Sequence, residues 1–388
     1  MPSRWILPLI VIAQFLCTSL WFAGNAVMTD LIELYSLPSD SLGHLTSSVQ
    51  LGFIAGTLFY AILTIADRFS PSRVFFISAL GGSVMNILIL PGFNTFFSVL
   101  VFRFLTGFFL AGIYPVGMKI ASDYFTRGLG KALGFLVGAL VLGTAFPHFL
   151  KSMSFGFHWS YVIIATSVLA VIGGLLIMVG VGDGPHHKRG QEVDLTAFFR
   201  VFNDREFRSP AFGYFGHMWE LYAFWAFVPI MLSAYSDTHQ LLLNIPLLSF
   251  LIIGIGFFSC VVGGYLSLII GSRKTAFFSM LISGTCCLLS LVMMEFSTVL
   301  FLIFLLLWGI TVISDSPQFS TLVAYHAPHD IKGTALTIVN CIGFSITIIS
   351  IEMINFLSVQ WGIEKAMVIL VIGPIFGLLT LGYNNIKV

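Results

Sequence analysis

The stretch from Gly213 to Pro229 reads GYFGHMWELYAFWAFVP, and it shows what kind of fold the chain adopts. With its flanks it is apolar and roughly long enough to cross a bilayer as one helix. Its first half nevertheless holds His217 and Glu220, which are three residues apart and therefore share one helical face. A carboxylate among lipid-facing side chains costs about 2.5–3.5 kcal/mol on insertion scales. This helix is therefore predicted to turn its polar face toward a bundle interior or a wet cavity.

The composition of the whole chain agrees with a membrane protein. Of the 388 residues, 57% are hydrophobic and 9% are charged, whereas soluble domains have about 25% charged residues. The mean hydropathy of +0.99 indicates a polytopic membrane protein. A net charge of +1 argues against a nucleic-acid binder. No metal or cofactor is expected, since no Cys, His or Asp cluster has metal-ligand spacing and no Gly-Lys-Ser/Thr phosphate loop occurs.

Short polar loops divide the chain into twelve apolar segments, numbered here 1 to 12, and these predict an all-α integral membrane fold. The predicted bounds are 5–29, 43–65, 74–93, 97–121, 129–151, 158–181, 210–234, 244–268, 274–294, 298–322, 333–356 and 363–384. Segment 1 is too long for a signal peptide and is expected to be retained. The long polar connection 182–209 is predicted to be a cytoplasmic loop between two pseudo-symmetric six-helix bundles, 1–181 and 210–388.

Lysine and arginine residues give the orientation. If the N-terminus is cytoplasmic, all of the 18 basic residues except Arg103, Lys151 and Lys365 fall in or beside inner loops. Both termini are therefore predicted to be cytoplasmic.

The two halves of the chain repeat each other. Gly107 and Pro115 in segment 4 recur at the same spacing as Gly309 and Pro317 in segment 10. An internal duplication of this kind is typical of transporters with two parallel halves around a central site.

Two motifs make the chain resemble the major facilitator superfamily of secondary transporters. Residues 65–73, IADRFSPSR, resemble the signature of that family's loop 2–3, and Arg103-Phe-Leu-Thr-Gly107 resembles its helix 4 motif. Leu63 and Ser70 replace two glycines of the loop signature. The resemblance implies that Asp67, Arg68 and Arg73 form a conformational-switch loop. It also implies a central cavity lined by segments 1, 4, 7 and 10, and a role for Arg103 in proton coupling or in recognising substrate charge.

The embedded charges fit that arrangement. Arg103 lies in segment 4, Glu220 in segment 7 and Asp315 in segment 10, beside the helix-breaking Pro317. His217 and Glu220 can share or relay a proton, which makes them a candidate coupling site. Structural alternatives stay open: a hydrogen-bonded His–Glu pair, a packing network around Asp315, and an ion pair from Arg103 to Asp30 or Glu352. The full set of predicted pathway residues is Asn25, Arg103, Tyr114, His217, Glu220, Tyr222, Trp225, Asp315, Gln318 and Asn340.

These features predict secondary active transport of a small organic solute by alternating access, with protons as the preferred coupling ion over sodium. Segments 2 and 8 contain no arginine, which argues against a nitrate-type substrate. The alternatives are multidrug or metabolite efflux by the same fold, and a non-transporting membrane sensor or receptor. An enzyme is not expected, because no nucleophile or metal set is recognisable. The expected partners are the solute, protons and the lipid bilayer, and the chain is expected to be a monomer in a bacterial cytoplasmic (inner) membrane.

Overall fold

The computed structural model describes residues 4–38, 40–125, 129–153, 158–186, 201–328 and 332–382, and the side chains of these residues except 67, 129–131, 332 and 333. Every regular element in these ranges is helical, which confirms the all-α prediction. Among the described residues, nine helices are long and apolar enough to cross a membrane. The three remaining segments are the interrupted segment 1, the 17-residue segment 3 and the long segment 7.

The described helices follow the twelve predicted segments, several of which are interrupted. Segments 1 to 6 comprise Ile6–Thr18 with Ala23–Ala26 and Met28–Tyr35, Ser41–Ile62, Pro71–Ile87, Phe96–Leu110 with Tyr114–Tyr124, Leu129–Met153, and Ser160–Leu175 with the π-helical Leu176–Val181. Segments 7 to 12 comprise Arg205–Thr238, Ile245–Gly254 with Gly256–Ile270, Ser272–Met293, Thr298–Ser314 with Ser316–His326, Lys332–Trp361, and Ile363–Met367 with Val368–Val371 and Ile372–Gly382. Segment 7 is longer at both ends than the predicted 210–234.

Segments 4 and 10 break at equivalent points. In each, the second helix carries proline as its second residue, Pro115 after Tyr114 and Pro317 after Ser316. Proline has no backbone N–H and a fixed φ, so it fits the first turn of a helix but interrupts a continuous one. The residues that repeat between segments 4 and 10 therefore correspond to an interruption of the helix at the same place in both segments.

The chain divides into two compact units. Unit 1 comprises Met1–Glu192 with Asn244–Gly254, and unit 2 comprises Val193–Leu243 with Ile255–Val388. The first helix of segment 8 is thus grouped with unit 1, although segment 8 as a whole follows segment 7 in the sequence. The predicted bundle boundaries stay a prediction, and residues 187–200 of the connecting loop lie outside the described residues.

In unit 1, glycines allow segments 2 and 4 to cross at close range. A Cβ atom at Gly52 would overlap the carbonyl oxygen of Phe104, and one at Gly107 would overlap that of Val49. Small residues at such crossings let helix backbones approach, which is the main source of packing between helices in lipid. Gly107, a residue of the helix 4 motif, therefore has a packing role.

In unit 2, segment 7 packs against segment 12 in a similar way. Gly216 and Gly373 face each other so closely that a Cβ on either would overlap the other's carbonyl oxygen. Trp219 adds a hydrogen bond from Nε1 to the carbonyl oxygen of Ile369, at 3.2 Å. These contacts fix the rotation of segment 7, which decides where its His217 and Glu220 point.

Candidate functional site

His217 and Asp315 form a buried pair that joins segments 7 and 10. Their Nδ1 and Oδ1 atoms are 2.8 Å apart, and the two side chains are only 1% and 2% exposed. The imidazole contacts the rings of Tyr214 and Phe319, with centroid distances of 6.0 and 6.2 Å. Its second nitrogen, Nε2, has no hydrogen-bond partner among the described residues. That atom is available to a proton or a ligand.

Glu220, one turn from His217 along segment 7, is bound by a different set of residues. Trp308 donates from Nε1 to Oε1 at 2.6 Å, and Ser283 donates from its hydroxyl to Oε2 at 3.0 Å. The thiol of Cys287 lies 3.4 Å from Oε1 and adds a weaker contact. Hydrogen bonds to an ionised acceptor are stronger than those between neutral groups. This set of donors, called the Glu220 cradle below, is suited to a carboxylate.

Together these groups leave one buried charge uncompensated. When His217 is protonated, it balances the charge of Asp315. An ionised Glu220 then has only neutral hydrogen-bond donors around it and no lysine or arginine partner within the described part of the chain. A buried charge without a partner is expensive. A proton on Glu220 removes that cost.

Arg103, in unit 1, is bound to backbone rather than to a carboxylate. Its Nη1 donates to the carbonyl oxygen of Leu20 at 3.2 Å, and its Nη2 donates to that of Trp21. Segment 1 is not helical between Thr18 and Ala23, so these carbonyls are free of the helical pattern. The ion pair suggested above with Asp30 does not form, because Asp30 binds Lys151 at 2.6 Å instead.

The other predicted pathway residues are placed as follows. Tyr222 is buried and packs against Trp225 and Phe344, with centroid distances of 5.2 and 5.3 Å. Asn25 donates from Nδ2 to the hydroxyl of Thr46 at 2.7 Å. Gln318 is 2% exposed and lies one turn beyond Asp315. Tyr114 and Asn340 are half-buried. In unit 2 the structure thus brings together His217 with Asp315, and Tyr222 with Trp225.

The predicted switch loop is described in part. Arg68 and Arg73 are exposed, and the side chain of Asp67 lies outside the described residues. The carboxylate that binds the start of segment 3 is Asp183, which accepts a hydrogen bond from the backbone N–H of Ser72 at 2.9 Å. Asp183 follows segment 6, so this contact ties two helix ends of unit 1 together.

Several polar residues of interest were not predicted from the sequence. Trp308 lies seven residues before Asp315 and so shares its helical face, a signal that could have linked it to the site. Two buried glutamines of unit 1, Gln14 and Gln50, have no hydrogen-bond partner for either amide atom among the described residues, and neither has Nε2 of His148. Buried polar groups are nearly always satisfied by protein or water. These three residues therefore mark places where water or a ligand can bind.

Comparisons with known proteins agree with this architecture. A family model described as Major Facilitator Superfamily matches residues 10–351. A crystal structure of a bacterial homologue of the human lysosomal transporter Spinster, inward-facing and unoccupied, has a TM-score of 0.73 at 15% identity, and the match covers 98% of each chain. The occupied, inward-facing structure has the same TM-score at 14% identity and covers 99% of this chain and 97% of that one. No curated protein sequence matches. Because the family model spans most of its length, the chain belongs to the Major Facilitator Superfamily.

Proposed function

We propose that this protein is a proton-coupled secondary transporter that moves a small organic solute by alternating access. The observation that carries the proposal is the group of His217, Asp315 and Glu220 in unit 2, where two carboxylates and an imidazole are almost completely buried. Family membership supports transport. The titratable group supports protons as the coupling ion, because its buried net charge changes with each proton bound.

Each residue has a distinct part in this proposal. Glu220 binds the coupling proton, and Trp308 and Ser283 position its carboxylate. The His217–Asp315 pair, one turn away along segment 7, joins that segment to segment 10. Protonation of Glu220 alters its contacts with segments 9 and 10, which gives protonation a route to conformation.

The solute is proposed to be amphipathic or zwitterionic. Tyr222, Trp225 and Phe344 provide a buried aromatic cluster of the kind that binds the apolar part of a ligand. In the same unit, Nε2 of His217, which has no hydrogen-bond partner among the described residues, provides a polar group for the rest of it. Export of a hydrophobic compound uses the same chemistry, so uptake and efflux are both compatible with these residues.

We also propose that the protein resides in a bacterial cytoplasmic membrane with both termini inside. The asymmetric distribution of lysine and arginine supports this orientation. The protein is proposed to act as a monomer, because a single chain already contains both halves of the internal repeat.

The test is transport by the purified protein in proteoliposomes with an imposed pH gradient. Candidate solutes are first selected by the shift that they cause in melting temperature, and solute-induced proton flux is then followed with an internal pH dye. We expect Glu220→Gln to abolish gradient-driven accumulation and to retain solute binding. The matched control is Glu295→Gln, which changes an exposed carboxylate at the end of segment 9. Solute binding without flux in the unmodified protein would instead support a sensor, and flux that ignores the pH gradient would exclude proton coupling.

A further inference from the structure

Unit 2 has a groove at the start of segment 9. It has a volume of about 110 Å³ and is lined by Arg273, Lys274, Phe277, Phe278 and Leu381. Its exposed walls are apolar, since the phenylalanine rings and the hydrocarbon stems of the two basic side chains form them. Phe278 is 52% exposed. The groove is thus an apolar slot with two cationic groups attached to it.

Arg273 is held rigidly beside this groove. Its Nε and Nη2 atoms donate to the carbonyl oxygen of Leu381 at 3.2 and 2.6 Å, and Nη2 also donates to the hydroxyl of Ser209 at 3.1 Å. These bonds join the ends of segments 7 and 12 to the start of segment 9. Glu206 acts on Arg273 electrostatically and offsets part of its charge.

Lys274 has no such restraint. Within the described ranges its ammonium group forms neither a hydrogen bond nor an ion pair, although the stem lines the groove. Long basic side chains at helix ends can lay their stems on apolar surface and hold their charge at the membrane interface. Two adjacent cations above an apolar slot match a molecule with a phosphate and a hydrocarbon chain. Basic pockets between membrane helices bind anionic lipid head groups in this way.

We propose that this groove binds one anionic glycerophospholipid. The phosphate lies at Lys274 and Arg273, and one acyl chain lies along Phe277 and Phe278. This site is independent of the proposed transport pathway, because its residues are not among the titratable or aromatic groups assigned to that pathway.

The test uses native mass spectrometry of the full chain in detergent. The protein is titrated with phosphatidylglycerol and, separately, with phosphatidylcholine of the same acyl chains. We expect one phosphatidylglycerol to bind preferentially. Lys274→Gln should weaken its binding about fivefold, the factor that corresponds to the roughly 1 kcal/mol that a basic residue contributes near an anionic lipid surface. Phe278→Ala should weaken the binding of both lipids.

Two controls make the result specific. Lys365→Gln removes an exposed lysine at the start of segment 12, and it should leave phosphatidylglycerol binding unchanged. Glycerol 3-phosphate, which has the phosphate without the acyl chains, should not displace the lipid. Equal binding of the two lipids, or unchanged binding in correctly folded Lys274→Gln and Phe278→Ala proteins, would overturn the proposal. Displacement by glycerol 3-phosphate would also overturn it, in favour of a soluble phosphate site.

Discussion

His217 and Asp315 lie 98 residues apart in the sequence yet bring Nδ1 and Oδ1 to 2.8 Å inside unit 2. The first prediction concerns this pair. Asp315→Asn leaves a buried imidazole without its counter-charge, and loss of one partner of a buried pair costs about 3–5 kcal/mol. We expect a clear fall in the free energy of unfolding, measured by denaturation in detergent. Asp40→Asn is the matched control, because Asp40 and His44 form a pair at 3.5 Å whose side chains are 46% and 39% exposed, and the loss of such a pair should cost about 0–1 kcal/mol. Equal losses in the two variants would contradict a coupled buried pair.

The second prediction concerns the Glu220 cradle. Trp308→Phe keeps an aromatic ring against Phe224, whose centroid is 4.6 Å away, but removes the N–H donor to Glu220. A hydrogen bond to a charged group contributes about 1.5–3 kcal/mol, against about 1 kcal/mol for a neutral one. The variant should therefore lose more stability at high pH, where Glu220 is ionised, than at low pH, where it is protonated. Unfolding measured across the pH range tests this, and the difference should disappear in the Glu220→Gln background.

The third prediction concerns the crossing of segments 2 and 4. Gly107→Ala places a methyl group against the carbonyl oxygen of Val49, so the two helices must separate. Overpacking of this kind costs about 1–3 kcal/mol or more. Gly134→Ala is the control, because a Cβ there meets nothing within 4 Å. That change should be neutral, or stabilising by about 0.5–1 kcal/mol through helix propensity. Similar melting temperatures for the two variants would contradict a close contact between the two helix backbones.

The fourth prediction concerns Arg103. Arg103→Lys keeps the charge but replaces the planar guanidinium group by an ammonium group. A single ammonium nitrogen binds two separate carbonyl oxygens less well than the two guanidinium nitrogens do. We expect destabilisation of about 1–3 kcal/mol, the cost of leaving a buried polar group unsatisfied. Arg73→Lys, at an exposed position, should change stability by less than about 0.5 kcal/mol. Thermal unfolding of both variants gives the comparison, and an unaffected Arg103→Lys protein would argue that the charge alone matters there.

The fifth prediction concerns orientation. Phe93 is 85% exposed in the turn before segment 4, and Arg68 is exposed at the end of the short helix Ile65–Arg68, which precedes segment 3. A membrane-impermeant maleimide should label the Phe93→Cys variant in intact cells. It should label the Arg68→Cys variant only after the cells are lysed. The background needs Cys341→Ser, since the other four natural cysteines are buried. The reverse pattern would place the termini outside.

Hydropathy was sufficient to predict the segments, because each must supply about 20 apolar residues to cross a bilayer. The breaks in segments 4 and 10 also have a sequence signal in Pro115 and Pro317. The break in segment 1 does not, because Ser19 to Phe22 include neither glycine nor proline. What accompanies it is a contact from another segment, since Arg103 of segment 4 donates hydrogen bonds to this region.

The candidate site was predictable to a similar extent. The spacing of His217 and Glu220 indicated one polar face. It could not indicate that His217 pairs with Asp315 and that Glu220 accepts a hydrogen bond from Trp308. Those partners depend on how segment 7 is rotated, which the contact between Gly216 and Gly373 fixes through backbone atoms. A hydropathy pattern does not predict which glycines will bring two helix backbones together.

The attachment of Arg103 to segment 1 has a mechanical consequence. The carbonyl oxygens of Leu20 and Trp21 accept from the guanidinium at a point where residues 19–22 lie outside the helices of segment 1. If segment 1 straightened, Gly24 and Asn25 would donate to the same oxygens in the ordinary helical pattern. Those backbone donors would then compete with the arginine for the same two oxygens. The interruption of segment 1 therefore leaves Arg103 as the main partner of both carbonyl groups.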